Sequence, residues 1–172
     1  MKVAVVGCGA MGSVYAALLG NAGHEVWAID NWKDHIDAIK AKGLRLEGAS
    51  GEHTVRINAT TNPADAGPCE LVILATKAMH VEQAAKSMQP LLGKDSVVLS
   101  IQNGLGGPDT AAKVLGRERV LVGVVGGFGA SMKAPGMPTT MAGSWCVWAN
   151  SPGRSPRGSK PSPKSGAPAA FA

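Results

Sequence analysis

The segment Val3-Ala4-Val5-Val6-Gly7-Cys8-Gly9-Ala10-Met11-Gly12 constrains this chain more than any other. Four apolar residues read as a strand buried on both faces, and the Gly-x-Gly-x-x-Gly pattern that follows opens a helical stretch, Ala10–Ala22. Gly7 permits a tight turn, Gly9 lets the backbone approach a ligand closely, and Gly12 lets the helix lie against the strand. The first amides of such a helix lack partners within it and carry partial positive charge, which suits a diphosphate. Gly7, Cys8, Gly9, Ala10, Met11 and Gly12 are therefore candidate dinucleotide-binding residues, Cys8 through its backbone rather than its thiol.

The next apolar run, Glu25–Ile29, ends in Asp30, 18 residues beyond Gly12. A carboxylate there accepts hydrogen bonds from the ribose hydroxyls of NAD and repels the 2′-phosphate of NADP. The nearest cation is Lys33. The expected cofactor is NADP or NAD, and Asp30 leans the choice towards NAD.

Up to Gly136 short runs rich in Val, Ile and Leu alternate with helical patterns, the rhythm of a parallel sheet with crossover helices. Further strands are expected at Leu71–Ala75, Ser96–Ser100 and Arg119–Val124, and helices at Trp32–Ala41, His80–Met88 and Pro108–Leu115. Gly23, Gly43 and Pro108 supply stop and start signals. Arg45–Leu46 and Thr54–Ile57 are spaced to pair as a small hairpin. The fold class is α/β, a Rossmann-type doubly wound and mostly parallel sheet over residues 1–136. A chain of 172 residues holds one such domain and a tail. No apolar run approaches the ~20 residues of a membrane span, and no export signal precedes the first strand, so a cytoplasmic location is expected.

The net charge of +5 does not indicate a nucleic-acid partner. Residues 1–136 hold 13 Lys and Arg against 12 Asp and Glu, whereas residues 137–172 hold 4 against 0, so the folded part is nearly neutral. Cys8, Cys69 and Cys146 are too scattered for a disulfide framework, and no His, Cys or Asp cluster has metal-ligand spacing. His24, beside a turn, and His35, on the polar side of its helix, are expected to be solvated.

Three more segments follow later strands: Leu74-Ala75-Thr76-Lys77-Ala78, Ser100-Ile101-Gln102-Asn103-Gly104-Leu105-Gly106, and Gly126-Gly127-Phe128-Gly129-Ala130. Together with the glycine loop, they make residues 1 to about 136 resemble the N-terminal domain of the ketopantoate reductase (2-dehydropantoate 2-reductase) family. The resemblance implies NAD(P)H-dependent hydride transfer to a small 2-keto acid in pantothenate biosynthesis. It makes Lys77 a cofactor-contacting lysine at the cleft mouth, and Asn103 the asparagine that meets both cofactor and substrate. Lys77 and Asn103 are thus the candidate catalytic residues. The resemblance also implies that Ala130 lies where the family's backbone closes over the nicotinamide. The family's proton-donating lysine and substrate-holding glutamate come from a second, helical domain, to which nothing in Met137–Ala172 corresponds. The expectation is a truncated, weakly active or inactive reductase, its apolar interdomain face near Phe128 and Met132 left open to self-association. Two alternatives stand beside it: a non-catalytic dinucleotide-binding module, and a reductase or dehydrogenase for another 2-keto or 2-hydroxy acid.

Residues 137–172 read as a disordered, basic tail; from 151 onward, 13 of 22 residues are Ser, Pro or Gly. The genetic code offers a reason. Met137, Met141 and Trp145 each have a single codon, so much of the underlying DNA is fixed. Restoring one C before the ATG of Met137 gives CAT, GCC, two codons NAC, one NAT and GGN, which reads His-Ala-x-x-x-Gly. Continued through Ser144-Trp145-Cys146-Val147, that frame can read Glu-Leu-Val-Arg. The segment from about 137 onward is accordingly expected to be out-of-frame translation of a longer gene. Sequencing the locus should reveal an open frame running on past this stop, and an intact gene with no such continuation refutes the reading.

Overall fold

The computed structural model describes residues 1–103, 106–127 and 129–141, and the backbone of 147–150. Of the expected tail 137–172, residues 142–146, Cys146 included, and 151–172 lie outside the described residues, as do Gly104, Leu105 and Phe128, whereas 137–141 and 147–150 are strands. In chain order the main elements begin with β1 (Lys2–Val6), α1 (Ala10–Asn21), β2 (Glu25–Ile29), α2 (Lys33–Lys42), β3 (Leu44–Gly48), β4 (His53–Val55) and β5 (Asn58–Thr60). They continue with β6 (Cys69–Leu74), α3 (Val81–Ser87), β7 (Leu92–Ser100), α4 (Gly107–Leu115), β8 (Val120–Val125), β9 (Gly129–Ala134), β10 (Met137–Met141) and β11 (Val147–Asn150).

Six strands form a parallel sheet in the order β5-β2-β1-β6-β7-β8, with β11 added antiparallel to β8. This is the doubly wound order in which the third, second and first parallel strands run one way and the fourth, fifth and sixth the other. The winding reverses between β1 and β6, where Val3 pairs with Leu71 and Val6 with Leu74. There the chain leaves the two strands on opposite sides, and a crevice opens at their carboxyl ends.

The alternation along β1 explains why a strand this apolar is stable. Val3 and Val5 face one core with α1, α2 and the Leu44 and Leu46 side chains of β3. Ala4 and Val6 face the other, made with Val81, Ala84 and Ala85 of α3 and Ala111 and Leu115 of α4. Ile36, Ile39, Leu44 and Leu74 are almost fully buried, and each such side chain contributes about 1.5–3 kcal/mol of transfer free energy.

A second sheet, ordered β4-β3-β10-β9, covers α1. The expected hairpin is its β3–β4 pair, with Leu44 opposite Val55 and Leu46 opposite His53. β10 closes it from far along the chain, parallel to β3 and antiparallel to β9. The expected domain edge at Gly136 thus falls in the turn between two paired strands, and the fold runs on through Met141. Pro138 and Thr140 are the buried positions of β10, and the Thr140 hydroxyl accepts from the Ser50 amide at 2.8 Å. That alternation is only five residues long and sits where the composition turns polar, so it was not read as a strand. Among the described residues no helix is long and apolar enough to cross a membrane.

His35 is not solvated, contrary to expectation. It sits beside Ile36 and Ile39 on the inward face of α2 and is fully buried, with the Trp32 ring stacked on it at 5.1 Å. The Gly136 amide donates to His35 Nδ1 at 2.9 Å, so the ring proton resides on Nε2, which meets Ser13 Oγ at 3.0 Å. Ser13 in turn donates to the carbonyl of Cys8 at 2.9 Å. Every donor has one acceptor, and the chain of bonds ties the glycine loop to α1, α2 and the turn of the second sheet. His24 is half-buried beside its turn.

Burial holds the His35 imidazole below its ordinary 6.5, against the opposing pull of the nearby Asp30 carboxylate. The unfolded chain therefore takes up a proton that the folded chain refuses, and the stability tied to neutral His35 is complete above pH about 6.5 and lost as pH falls. Urea unfolding between pH 8 and 5 should show a level plateau followed by a decline, with the decline reduced in His35→Asn. An unfolding free energy that stays flat over that range in the wild type contradicts the assignment.

Candidate functional site

The crevice at the carboxyl ends of the parallel strands is a cleft of about 910 Å³. Of the expected residues it gathers Gly7, Gly9, Ala10, Met11, Asp30, Lys77, Asn103 and Ala130 along its walls. Segments as far apart in sequence as Gly7 and Ala130 thus meet around one space at the ends of the sheet's strands. Cys8 and Gly12 are buried behind the cleft surface.

At Gly7 the backbone takes φ +87°, a conformation that L side chains rarely adopt. The Gly7 and Cys8 amides both donate to the Ile29 carbonyl, at 2.9 and 3.3 Å, which anchors the turn to the end of β2. A Cβ at Gly7 would lie 2.6 Å from the Thr76 backbone nitrogen, and one at Gly12 would lie 2.2 Å from the Gly7 carbonyl oxygen. Both positions are closed to any side chain. Gly9 is different: a Cβ there meets nothing within 4 Å. It faces open space at the head of α1, where the amides of Ala10, Met11 and Gly12 precede the first internal helix bond.

Cys8 is fully buried, and burial pushes its thiol up to about 12, so it carries no thiolate chemistry near neutral pH. Asp30 accepts the Trp32 amide on Oδ1 at 2.9 Å. Lys33, the nearest cation in sequence, forms an exposed ion pair with Asp37 one turn along α2. Lys77 is exposed and precedes the short helical turn Ala78–His80, which leads into α3. Among the described residues no three of His, Cys, Asp or Glu gather as a metal site.

Two residues within the quoted segments had drawn no role from the sequence. Thr76 lines the cleft, and its buried hydroxyl has no hydrogen-bond partner among the described residues. Gln102 also lines it, buried, with Nε2 donating to the carbonyls of Leu74 at 2.7 Å and Thr76 at 3.2 Å. The sequence did carry a signal for Gln102: Ser100 lies two residues before it, on the same side of an extended chain. His80 and Thr61, also on the cleft wall, had no such signal.

Comparison with known proteins agrees with this geometry. Residues 3–151 match the family model described as ketopantoate reductase PanE/ApbA. The chain is 38% identical over 137 residues to a 2-dehydropantoate 2-reductase of Pyrococcus abyssi, covering 80% of this chain and 43% of that protein. It resembles the crystal structure of a PanE/ApbA family ketopantoate reductase from Ralstonia eutropha JMP134 with a TM-score of 0.75 and 38% identity, covering 81% of this chain and 46% of that one. It also resembles the ternary structure of a D-mandelate dehydrogenase with NADH and anilino(oxo)acetate, with a TM-score of 0.73 and 32% identity, covering 81% and 45%. The chain spans less than half the length of these relatives. With its doubly wound sheet, its glycine turn and its match over residues 3–151, the chain belongs to the ketopantoate reductase family of oxidoreductases.

Proposed function

We propose that the cleft binds a nicotinamide dinucleotide, NAD in preference to NADP, and that this chain supplies the coenzyme-binding half of a 2-keto acid reductase. The observation that carries the reading is Gly9. It is the one position of the glycine loop at which a Cβ would point into empty space, and that space adjoins the free amides of α1.

In this reading the Ala10 and Met11 amides take the diphosphate. Asp30 keeps Oδ1 on the Trp32 amide and offers Oδ2 to the ribose hydroxyls. A 2′-phosphate would meet that carboxylate, and the nearest cation in sequence is already engaged with Asp37. Lys77 places positive charge at the cleft mouth, and the Asn103 amide donates and accepts between nicotinamide and substrate. The Ala130 backbone borders the same end of the cleft. When bound, the reduced coenzyme supplies the hydride that a 2-keto carbon accepts. The family resemblance implies that substrate-holding and proton-donating groups come from the portion of the relatives that this chain does not span.

The alternative substrate, another 2-keto or 2-hydroxy acid, is favoured by one specific likeness. The D-mandelate dehydrogenase relative was solved with NADH, and Asp30 is the residue type that suits NADH here. Turnover of ketopantoate against a panel of 2-keto acids separates the two, and binding without turnover of any of them favours a non-catalytic module.

Calorimetric titration at fixed ionic strength should show NADH binding about tenfold more tightly than NADPH, a difference of ~1.4 kcal/mol. Asp30→Ala should narrow that gap. Gly9→Val should abolish binding while leaving the melting temperature nearly unchanged, because a Cβ there meets no protein atom within 4 Å. Absence of heat with either coenzyme on folded protein overturns the reading. Val124 and Met141 are more than half exposed, whereas Met132 is only partly so. Self-association through exposed apolar side chains should appear as a concentration-dependent shift in size-exclusion elution, and a constant monomer position rules it out.

A further inference from the structure

Gln102 joins three loops of the cleft. The β6–β7 ladder ends at the Leu74–Ser100 pair, and beyond it the two chains part, one towards Thr76 and Lys77, the other towards Asn103. Gln102 bridges the gap with its side chain. Nε2 donates to Leu74 O at 2.7 Å and to Thr76 O at 3.2 Å, while Oε1 accepts from Ser100 Oγ. On its other side the Thr76 segment is pressed against Gly7, where a Cβ would lie 2.6 Å from the Thr76 nitrogen and 2.9 Å from its Cα. The start of α4 packs onto Gln102 as well, since a Cβ on Gly107 would lie 3.1 Å from Gln102 Cβ. The loops after β1, β6 and β7 are thereby held in one arrangement by a close backbone contact and one buried amide.

A hydrophobic residue of this size would fill the same volume, yet it would leave the Thr76 carbonyl and a bond to the Leu74 carbonyl unmade in a buried setting. The carbonyl of Thr76 belongs to the peptide that leads into Lys77, and Gln102 is bonded directly to Asn103 along the chain. We propose that Gln102 is a positioning residue that sets the spacing of Lys77 and Asn103 across the cleft, with Thr76 locked between them and the glycine loop. The proposal rests on the coenzyme reading of the cleft. Its consequence is selective: Gln102 governs contacts beyond the diphosphate, while the Asp30 end of the cleft, held by β2 and the Trp32 amide, does not depend on it.

The test is titration of the full chain with NADH and, separately, with 5′-AMP as a probe of the Asp30 end. The proteins compared are the wild type, Gln102→Met, Ser100→Ala, Lys77→Ala/Asn103→Ala, and the last combined with Gln102→Met. We expect Gln102→Met to weaken NADH binding about tenfold, because the Leu74 and Thr76 carbonyls it holds are released and the loops carrying Lys77 and Asn103 shift, with 5′-AMP affinity unchanged. Ser100→Ala, which frees Gln102 Oε1 without opening a large cavity, should weaken NADH binding in the same direction by a smaller factor, and it carries the test if Gln102→Met does not fold. In the Lys77→Ala/Asn103→Ala background Gln102→Met should cost little more, because the groups it positions are already gone. Unchanged NADH affinity in Gln102→Met overturns the proposal. Equal losses for NADH and 5′-AMP that add fully to those of the double variant also overturn it, because they indicate general loosening. A wild type that binds neither probe overturns the coenzyme reading itself, whereas a wild type that binds both with unaltered variants removes only the role of Gln102.

Discussion

The structure depends on how closely helix α1 approaches the turn that launches it. The Gly7 carbonyl lies where a Cβ of Gly12 would otherwise stand, 2.2 Å away, and Gly7 itself abuts Thr76. That contact brings the helix head down onto the ends of β1 and β6, where the sheet reverses its winding. If α1 stood a side chain's thickness further out, its first amides would be withdrawn from the crevice. The second sheet, which lies on the outer side of the same helix, would lose its seat as well. Two absent methyl groups therefore set both the shape of the cleft and the packing of the layer above it.

The polar groups under this contact are organised with little redundancy. One buried relay, from Gly136 through His35 and Ser13 to the Cys8 carbonyl, holds the glycine loop from beneath. A separate amide, Gln102, holds the facing loops. Neither group carries charge, so both can sit in the interior without a counter-ion. The charged candidates, Asp30 and Lys77, stand instead on the cleft wall, where water or ligand can meet them.

The parallel sheet was largely legible in the sequence because its strands are covered on both faces and read as unbroken Val, Ile and Leu runs. The expected Lys2–Val6 and Glu25–Ile29 strands coincide with β1 and β2, and the expected Ala10–Ala22 helix runs one residue past the end of α1. β5, of three residues, Asn58-Ala59-Thr60, gives no such run, and its place is set by pairing with β2. β9 and β10 were missed because they face α1 on one side only and alternate weakly. His35 was misplaced for a related reason: helix α2 has a narrow apolar stripe, and a histidine at its margin belongs to either face until the Ser13 hydroxyl and the Gly136 amide are brought to it. The candidate site residues were chosen from motifs at strand ends. The fold brings most of them to one cleft, while the bonds from Gln102 to the Leu74 and Thr76 carbonyls, 28 and 26 residues away, are carried by no linear pattern, unlike its link to Ser100.

The second sheet carries one more consequence. Its β3–β4 hairpin is complete by Val55, yet its remaining two strands arrive only at Gly129–Met141, and the Glu47–Thr139 pairing spans about 90 residues. On a ribosome the outer flank of α1 therefore waits, half clothed, while the whole parallel sheet is synthesised. The late-made β9–β10 segment acts as a clasp that fastens early and late portions of the polypeptide together, so the oldest helix is sealed only after the sheet beneath it has been made.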